Sequence, residues 1–319
     1  SIKNSDLAAS YYYLKQRVNL AGGIFHYRNL LNSNFTSLGE IYDQTRTFSE
    51  RNYGVFGLAS YPFTTFTRLD FELQAFISEK TFYDFDPFVG LYFETGRQSD
   101  RVVQPSLSYV HDSTLYGRWG PVTGTRYAIS FSPTLGLSDE DVDRATSFVD
   151  YRRYFQMWDR NTFVFRFVGA QSVGKTPRNF VIGGPWTLRG WDVYDFERVG
   201  LDGAPLYPNL LGQKMLLMNL EYRFPALDAI IFGWPGRWGI GGIEGAAYFD
   251  VGTAFDDEVQ FFGSTPSGAF KLQDLNADFG FGIRVALGFL PLKFDWAWKT
   301  DFARTARTPQ FNFSSGPQF

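Results

Sequence analysis

Two short segments, about sixty residues apart, carry the residue types that suit a buried ion pair. The first reads IGGPWTLRGW, from Ile182 to Trp191, and holds one arginine, Arg189. The second reads YFDVG, from Tyr248 to Gly252, and holds one carboxylate, Asp250. A planar guanidinium donates two parallel hydrogen bonds to a carboxylate, and a desolvated charge without a partner is costly. These residue types therefore predict a directional contact that holds one segment against the other.

The first segment lies in residues 174–212, the longest stretch of the chain without strand alternation. A stretch of this length is typical of a functional loop or of a disordered one. Its aromatic and aliphatic content is too high for a segment that stays in water, so we expect it to pack inside the protein. Gly183, Gly184 and Gly190 would allow tight turns and a close approach of the backbone to its surroundings.

The second segment belongs to a pattern in which apolar and polar residues alternate. Because successive side chains of a strand point to opposite faces, we expect Asp250 to point inward and Phe249 outward, with Gly252 leaving space beside the carboxylate. Several other segments alternate in the same way, with apolar residues at every second position of 69–77, 163–167, 216–224, 279–287 and 292–298. The intervening positions hold charges of both signs.

The composition narrows the class of protein. The chain of 319 residues contains 35 Phe, 18 Tyr and 8 Trp, yet it has no apolar run long enough for a membrane-spanning helix. The formal charge of −3 argues against a nucleic-acid surface. The absence of cysteine excludes disulfides, thiol catalysis and cysteine metal sites. Aromatic residues scattered at alternate positions are typical of a transmembrane β-barrel, whereas a soluble sandwich or propeller with aromatic ladders is the alternative.

The alternation predicts a closed sheet in a membrane. A charge facing lipid near the midplane costs about 2–4 kcal/mol. The charged side chains therefore have to contact water or one another. An open sheet in hydrocarbon would leave backbone groups unpaired at its edges, and so the sheet has to close. We therefore predict an all-β fold, a closed antiparallel transmembrane β-barrel that forms one domain over residues 1–319.

Fourteen strands can be placed by pattern, near residues 8–15, 17–29, 49–62, 66–79, 87–94, 102–113, 122–135, 146–158, 161–173, 213–225, 243–255, 278–288, 291–301 and 308–319. The best candidates for external loops are residues 30–48, 95–101, 136–145 and 174–212. Two more segments, 226–242 and 256–277, are too long for both to lie on the side of the barrel that has short turns.

The two motifs together resemble the bacterial outer-membrane assembly and translocation family, the BamA/TamA superfamily of surface antigen barrels. Three further segments carry the resemblance: EYRFPA from Glu221, GFGIRVALGFLPLKFDWAW from Gly280, and the terminal Phe319. It implies about sixteen strands and a loop that enters the lumen, where Arg189 of the arginine–glycine motif meets the wall aspartate, Asp250. Leu188 and Trp191 stand where the family more often has valine and phenylalanine or tyrosine.

The C-terminal strand predicts a weak seam. Gly316 and Pro317 precede the terminal Phe319, and proline cannot donate a ladder hydrogen bond. We expect a seam that can open sideways between residues 17–29 and 311–319, as the resemblance also implies. The alternative is that Gly316 and Pro317 simply end the strand.

The sequence offers little for catalysis or for metal binding. His111, Asp112 and Ser113 are adjacent, so His111 and Asp112 would point to opposite faces of a strand. The acidic residues near 139–143 could bind calcium weakly, although a solvated loop is the alternative. We therefore expect no enzyme, no metal and no cofactor.

The predicted function is insertion or translocation of polypeptide at the bacterial outer membrane. The expected partners are the lipid bilayer, unfolded outer-membrane or secreted polypeptides, and an N-terminal periplasmic or soluble domain that this chain lacks. Two alternatives remain open. One is a membrane anchor or export barrel for a lipase-like or propeller-like N-terminal domain, and the other is a passive porin.

Overall fold

The structure is a computed structural model that describes residues 6–31, 47–86, 91–117, 120–137, 142–158, 160–192, 195, 209–287 and 290–316. These residues are mostly β-strand. The strands are β1 Leu7–Tyr13, β2 Asn19–Leu31, β3 Thr47–Pro62, β4 Thr67–Asp86, β5 Leu91–Asp112, β6 Leu115–Tyr116, β7 Pro121–Gly136, β8 Asp143–Met157, β9 Asn161–Gly174, β10 Phe180–Val181, β11 Leu211–Gly212, β12 Lys214–Phe232, β13 Trp238–Phe255, β14 Phe262–Ser264, β15 Phe270–Leu272, β16 Asn276–Leu287, β17 Leu290–Thr300 and β18 Gln310–Ser315. No helix in the described part is long and apolar enough to cross a membrane.

One sheet contains most of the strands, in the order β1-β2-β3-β4-β5-β7-β8-β9-β12-β13-β16-β17-β18, with β6 paired to β7. β10 and β11 form a separate pair, as do β14 and β15. The edge strands of the large sheet are therefore β1 and β18. The expectation that residues 17–29 lie at an edge is wrong, because β2 pairs with β1 on one side and with β3 on the other.

A second correction concerns residues 95–101, which the sequence pattern assigns to an external loop. They lie within β5, which pairs with β4 without interruption from Leu91 to His111, apart from one bulge near Gly96. Glycine and clustered polar residues weaken the strand pattern here, but the ladder of hydrogen bonds to β4 keeps the backbone extended.

The two long segments near the C-terminus also have an explanation. Most of residues 226–242 extends the β12–β13 hairpin, whose ladder continues from Leu227 to Phe232 after a bulge that follows Pro225. Residues 256–277 contain the small β14–β15 hairpin, which pairs Phe262 with Leu272. Neither segment is a simple turn.

The chain forms two compact units, of which the first comprises residues 1–111, 128–148 and 170–180. In this unit, Phe71 and Leu73 of β4 are exposed, whereas Ser78 and Lys80 of the same strand are buried. The hydroxyl of Ser78 donates to the buried carboxylate of Glu50 on β3 at 3.0 Å. Polar groups of the buried face thus satisfy one another, alongside the buried ring of Phe76, while the large apolar side chains at 71 and 73 occupy the other face.

The second unit comprises residues 112–127, 149–169 and 181–319. It shows more strongly the same arrangement of buried polar residues and exposed apolar residues. On β12, Asn219, Glu221 and Arg223 are buried, while Phe224 is exposed. The strands β16 and β17 follow the same rule, with charged residues buried and large aromatic or aliphatic residues on the opposite face. The alternation predicted from the sequence is confirmed. We call the buried side of β12, β13, β16, β17 and β18 the charged face.

Candidate functional site: a loop arginine on the charged face

The segment that carries the arginine is a compact loop, residues 182–192, which we call the arginine loop. At the start of the loop, the backbone N–H of Ile182 donates a hydrogen bond to Leu210 O at 3.0 Å. Gly183 and Gly184 have positive φ values of 144° and 85°, which glycine adopts without steric cost. The hydroxyl of Thr187 closes the turn, since it accepts from Gly183 N at 2.8 Å and donates to Gly183 O at 2.7 Å.

Apolar burial holds the arginine loop down. Ile182 and Leu188 are completely buried, and Trp191 is nearly so. A hydrogen bond from Gly184 N to Trp191 O at 2.6 Å ties the two ends of the loop together. Full burial of a leucine or isoleucine side chain stabilises by about 1.5–3 kcal/mol, so the burial of these side chains contributes to holding the loop in place.

Arg189 projects from this loop onto Asp250 of β13. Its Nε donates to Asp250 Oδ2 at 2.7 Å, and its Nη2 donates to Asp250 Oδ1 at 2.8 Å. Both side chains are at most 2% exposed. Two parallel charge-assisted hydrogen bonds at these distances determine the position and the orientation of the guanidinium.

Two more groups complete the surroundings of the guanidinium. The remaining nitrogen, Nη1, donates a short hydrogen bond to Glu221 of β12. The ring of Tyr248, two residues before Asp250 on β13, has its centroid 3.4 Å from the guanidinium carbon. Arg189 is thus held by two carboxylates and covered by an aromatic face, an arrangement in which a cation–π contact adds to the ion pairs.

Strand register explains why these groups converge. Asn219 and Asp278 lie directly opposite Asp250 on the two neighbouring strands. The side-chain amide of Asn219 donates to Asp250 Oδ1 at 2.8 Å and also to Thr187 O at 2.7 Å. One residue of the sheet therefore contacts both the aspartate and the loop. We call Asp250, Glu221, Tyr248 and Asn219 the seat of the loop.

The carboxylates of the seat have further cationic partners. Arg223 Nε donates to Glu221 Oε1 at 2.7 Å. Arg284 lies 2.8 Å from Asp295 and 3.8 Å from Glu221, measured between the nearest nitrogen and oxygen atoms. A connected network of this kind compensates the desolvation of its members better than an isolated buried pair does.

Two lysines of β17 contact the tryptophans of the arginine loop. The ammonium of Lys293 lies 3.6 Å from the ring centroid of Trp186, and that of Lys299 lies 4.3 Å from the ring centroid of Trp191. Lys299 also pairs with Asp195, just beyond the loop, at 2.7 Å. On the edge strand β18, the side chain of Asn312 donates to the backbone carbonyl of Arg189. Hydrogen bonds and ring contacts therefore join the loop to β12, β13, β17 and β18.

The other residues predicted for the site have separate surroundings. Phe249 lies on the opposite face from Asp250 and stacks on Phe302, with ring centroids 5.8 Å apart. A side chain at Gly252 would lie 2.8 Å from Leu216 O and 3.2 Å from the side chain of Leu217, so the space there faces β12 and not Arg189. Gly316 donates its N–H to Pro291 O at 3.1 Å.

Two seam residues, Pro317 and Phe319, lie outside the described residues, and so do the acidic residues 139–141. His111 contacts the hydroxyl of Thr67 at 2.9 Å, while Asp112 accepts from Thr114 Oγ1 at 2.5 Å. Ser113 Oγ donates to the backbone of Thr125 at 3.2 Å. The described side chains contain no group of three or more histidines and carboxylates that could hold a metal ion.

Sequence reasoning misses several residues around Arg189. The alternation places Glu221 and Asn219 on the inner face, but nothing in it links them to Arg189. It gives no role to Tyr248 or Asp278. One signal could have found them. If strands that follow one another in the sequence are assumed to pair as antiparallel neighbours, the alternation in 216–224 and 278–288 allows their inner residues to be aligned with Asp250.

The comparisons with known proteins agree on the type of fold. A family model, the Omp85 superfamily domain, matches residues 9–319. Among solved structures, BamA from Haemophilus ducreyi lacking POTRA domains 1–3 has a TM-score of 0.64 at 16% identity, over 98% of this chain and 62% of that chain. CdiB from Acinetobacter baumannii has a TM-score of 0.50 at 12% identity, over 97% of this chain and 49% of that chain. This chain thus spans less than two thirds of either protein's length. No curated protein sequence matches it significantly.

Proposed function

The chain belongs to the Omp85 superfamily, and on that premise we propose that it is the transmembrane barrel of an outer-membrane protein that inserts or translocates polypeptides. In this proposal the charged face lines an aqueous lumen and the arginine loop occupies that lumen. The observation that carries the proposal is the buried two-pronged contact of Arg189 with Asp250.

The distribution of side chains supports a membrane location. Phe279, Phe281 and Phe313 are exposed, whereas Glu221 and Arg284 are buried. Water would favour the opposite arrangement, but lipid favours this one, since a lipid-facing charge is costly and a lipid-facing phenylalanine is not. In hydrocarbon the free edges of the sheet would need partners, which is why we propose that the sheet closes into a barrel.

The packing of the arginine loop favours a gated passage and argues against a permanently open channel. A general pore needs an unobstructed interior, but this loop is packed on the charged face through Ile182 and Leu188 and held there by Arg189. Breaking the buried pair would cost about 3–5 kcal/mol, a free energy that a bound polypeptide or a partner domain can supply. We propose that the pair is a lock that keeps the lumen closed at rest.

A weak lateral seam is part of the same proposal. The edge strand β18 has six residues, and its pairing with β17 runs only from Ala297–Gln310 to Leu292–Ser315. Gly316, the last described residue, has a φ of 120°. A short edge strand has few hydrogen bonds to break, so we propose that the C-terminal edge is where the sheet opens.

We propose that an N-terminal periplasmic or soluble domain delivers the polypeptide client to this barrel. We propose that such a domain precedes this barrel in the bacterial outer membrane. The seat of the loop, and not a catalytic centre, would then be the functional site of the barrel.

Depletion of the protein in its host, followed by quantitative proteomics of the outer-membrane and secreted fractions, tests this function. We expect a defined set of polypeptides to fall several-fold, and we expect a chromosomal Arg189→Ala variant to reproduce that loss. Unchanged polypeptide levels together with reduced uptake of small solutes would refute the proposal and support a passive pore.

A further inference from the structure

Position 190 of the arginine loop is glycine although its backbone does not require glycine. Gly183 and Gly184 have positive φ values, but Gly190 is not among the described residues with positive φ. Another constraint must therefore act at this position, and the three atoms nearest to an added Cβ all belong to one side chain.

That side chain is Asp278 of β16. An added Cβ atom at Gly190 would lie 2.6 Å from the Cβ of Asp278, 3.0 Å from its carboxyl carbon and 3.2 Å from Oδ2. Contacts this short force a movement of one group or the other. Because the nearest atom is a Cβ, which the backbone positions, rotation of the Asp278 side chain cannot relieve the overlap.

The backbone of Asp278 is not free to move. It lies between Asp250 on β13 and Lys299 on β17, and it is paired with both in the ladder. Asp278 itself is completely buried. A shift of β16 would disturb the strand that carries Asp250, so the loop is the part that would have to move.

Asp278 lies beside the ion-pair network and interacts electrostatically with Asp250 and Arg189. Neither of its carboxylate oxygens has a hydrogen-bond partner among the described residues. Its two ladder neighbours are engaged by the loop segment, since Asp250 holds Arg189 and Lys299 holds Asp195. Beside these electrostatic interactions, the close approach of Asp278 to Gly190 limits the size of the residue at position 190.

We propose that Asp278 is the residue that selects glycine at position 190. Its Cβ and carboxyl group occupy the volume that any larger residue at 190 would need, so that only glycine lets the loop backbone reach the charged face. A loop lifted by a Cβ at 190 would carry Arg189 away from Asp250 and lose the two-pronged contact. The inference concerns the seating of the loop and needs no transport activity.

Hydrogen exchange of the full chain, folded in detergent micelles and read by mass spectrometry, tests this inference through the amides of residues 182–192. Overpacking of a close contact predicts that Gly190→Ala lowers protection of these amides by about tenfold to a hundredfold. In an Asp278→Gly background, which removes the opposing Cβ, we expect the same substitution to change protection by less than about threefold.

Two variants separate size from other effects. Asp278→Asn keeps the shape and removes the ionisable carboxyl group, so Gly190→Ala should remain as harmful in that background as in the original chain. Gly184→Ala introduces strain through a φ of 85° with no atom within 4 Å of the new Cβ, and its effect should not depend on Asp278.

The proposal fails if Gly190→Ala lowers protection equally with aspartate and with glycine at 278, or if Asp278→Asn rescues it. Loop protection in Asp278→Gly alone serves as the reference. If that variant does not keep the strand content of the original chain by circular dichroism, Gly190→Ala, Gly190→Ser and Gly190→Val are compared in the original chain. A steric contact predicts that loop protection falls further with each larger side chain, and equal losses for the three variants would refute the proposal.

Discussion

The guanidinium of Arg189 donates two hydrogen bonds to the Asp250 carboxylate, and its carbon lies 3.4 Å from the ring centroid of Tyr248. Tyr248 and Asp250 are two residues apart on β13, so one face of this strand supplies both an anion and an aromatic ring to the same loop cation. A single strand segment, YFD, thereby sets the position, the direction and the tilt of the arginine.

Replacing Arg189 with lysine should loosen the loop although the charge is kept. Lysine has a point charge in place of the planar fork, so it cannot donate to Asp250 and Glu221 together in this geometry. We expect protection of residues 182–192 in hydrogen exchange to fall by about tenfold to a hundredfold. Arg160→Lys is the matched control, since the Arg160–Asp228 pair is mostly exposed and such pairs contribute at most about 1 kcal/mol. Equal effects of the two substitutions on loop protection would contradict the proposal that the seat residues hold Arg189 in place.

The aromatic face should matter while the hydroxyl of Tyr248 should not. The Tyr248 hydroxyl is buried and has no hydrogen-bond partner in the described part of the chain. Tyr248→Phe keeps the ring and should leave loop protection unchanged or raise it. Tyr248→Leu removes the cation–π contact, worth about 0.5–2 kcal/mol, and should lower protection by about twofold to thirtyfold. Identical results for phenylalanine and leucine would show that the ring only fills space.

Loss of the aspartate charge should open the lumen if the lock proposal holds. Asp250→Asn keeps the volume of the side chain but leaves Arg189 with Glu221 as its hydrogen-bonded anionic partner. In planar lipid bilayers we expect more frequent and larger conductance steps than for the original chain. Asp228→Asn, which removes an exposed carboxylate, should conduct like the original chain. A large steady current from the original chain would contradict a closed resting state.

Salt should distinguish the buried pair from the exposed one. The screening length falls from about 10 Å at 0.1 M to about 3 Å at 1 M salt, but screening by mobile ions does not reach a pair that excludes solvent. We expect loop protection to be unchanged within about twofold between these salt concentrations. Double-mutant cycles should show that any coupling between Arg160 and Asp228 weakens over the same range. A strong salt dependence of loop protection would indicate that the loop is not seated on Asp250.

Much of the fold could be predicted because its signal is local. The period of two in segments such as 216–224 and 279–287 depends only on the geometry of a strand, and it assigns Glu221, Asp250 and Arg284 to the inner face without knowledge of which strands pair. The limit of this reasoning is visible in β5, where polar residues 95–101 interrupt the pattern. Pairing with β4 keeps them extended, and pairing is not a local property.

The site divides along the same line. Residue type alone identifies Arg189 as a cation in an apolar loop and Asp250 as an inward carboxylate, because a guanidinium and a carboxylate each need a partner when water is removed. The alternation by itself does not link Glu221, Tyr248 and Asp278 to Arg189, since their places around it depend on which residues lie opposite one another across three strands. Register and loop seating are decided by packing between distant parts of the chain. For this reason the sequence predicts that Arg189 needs an anionic partner, whereas only the tertiary structure shows all the groups that surround it.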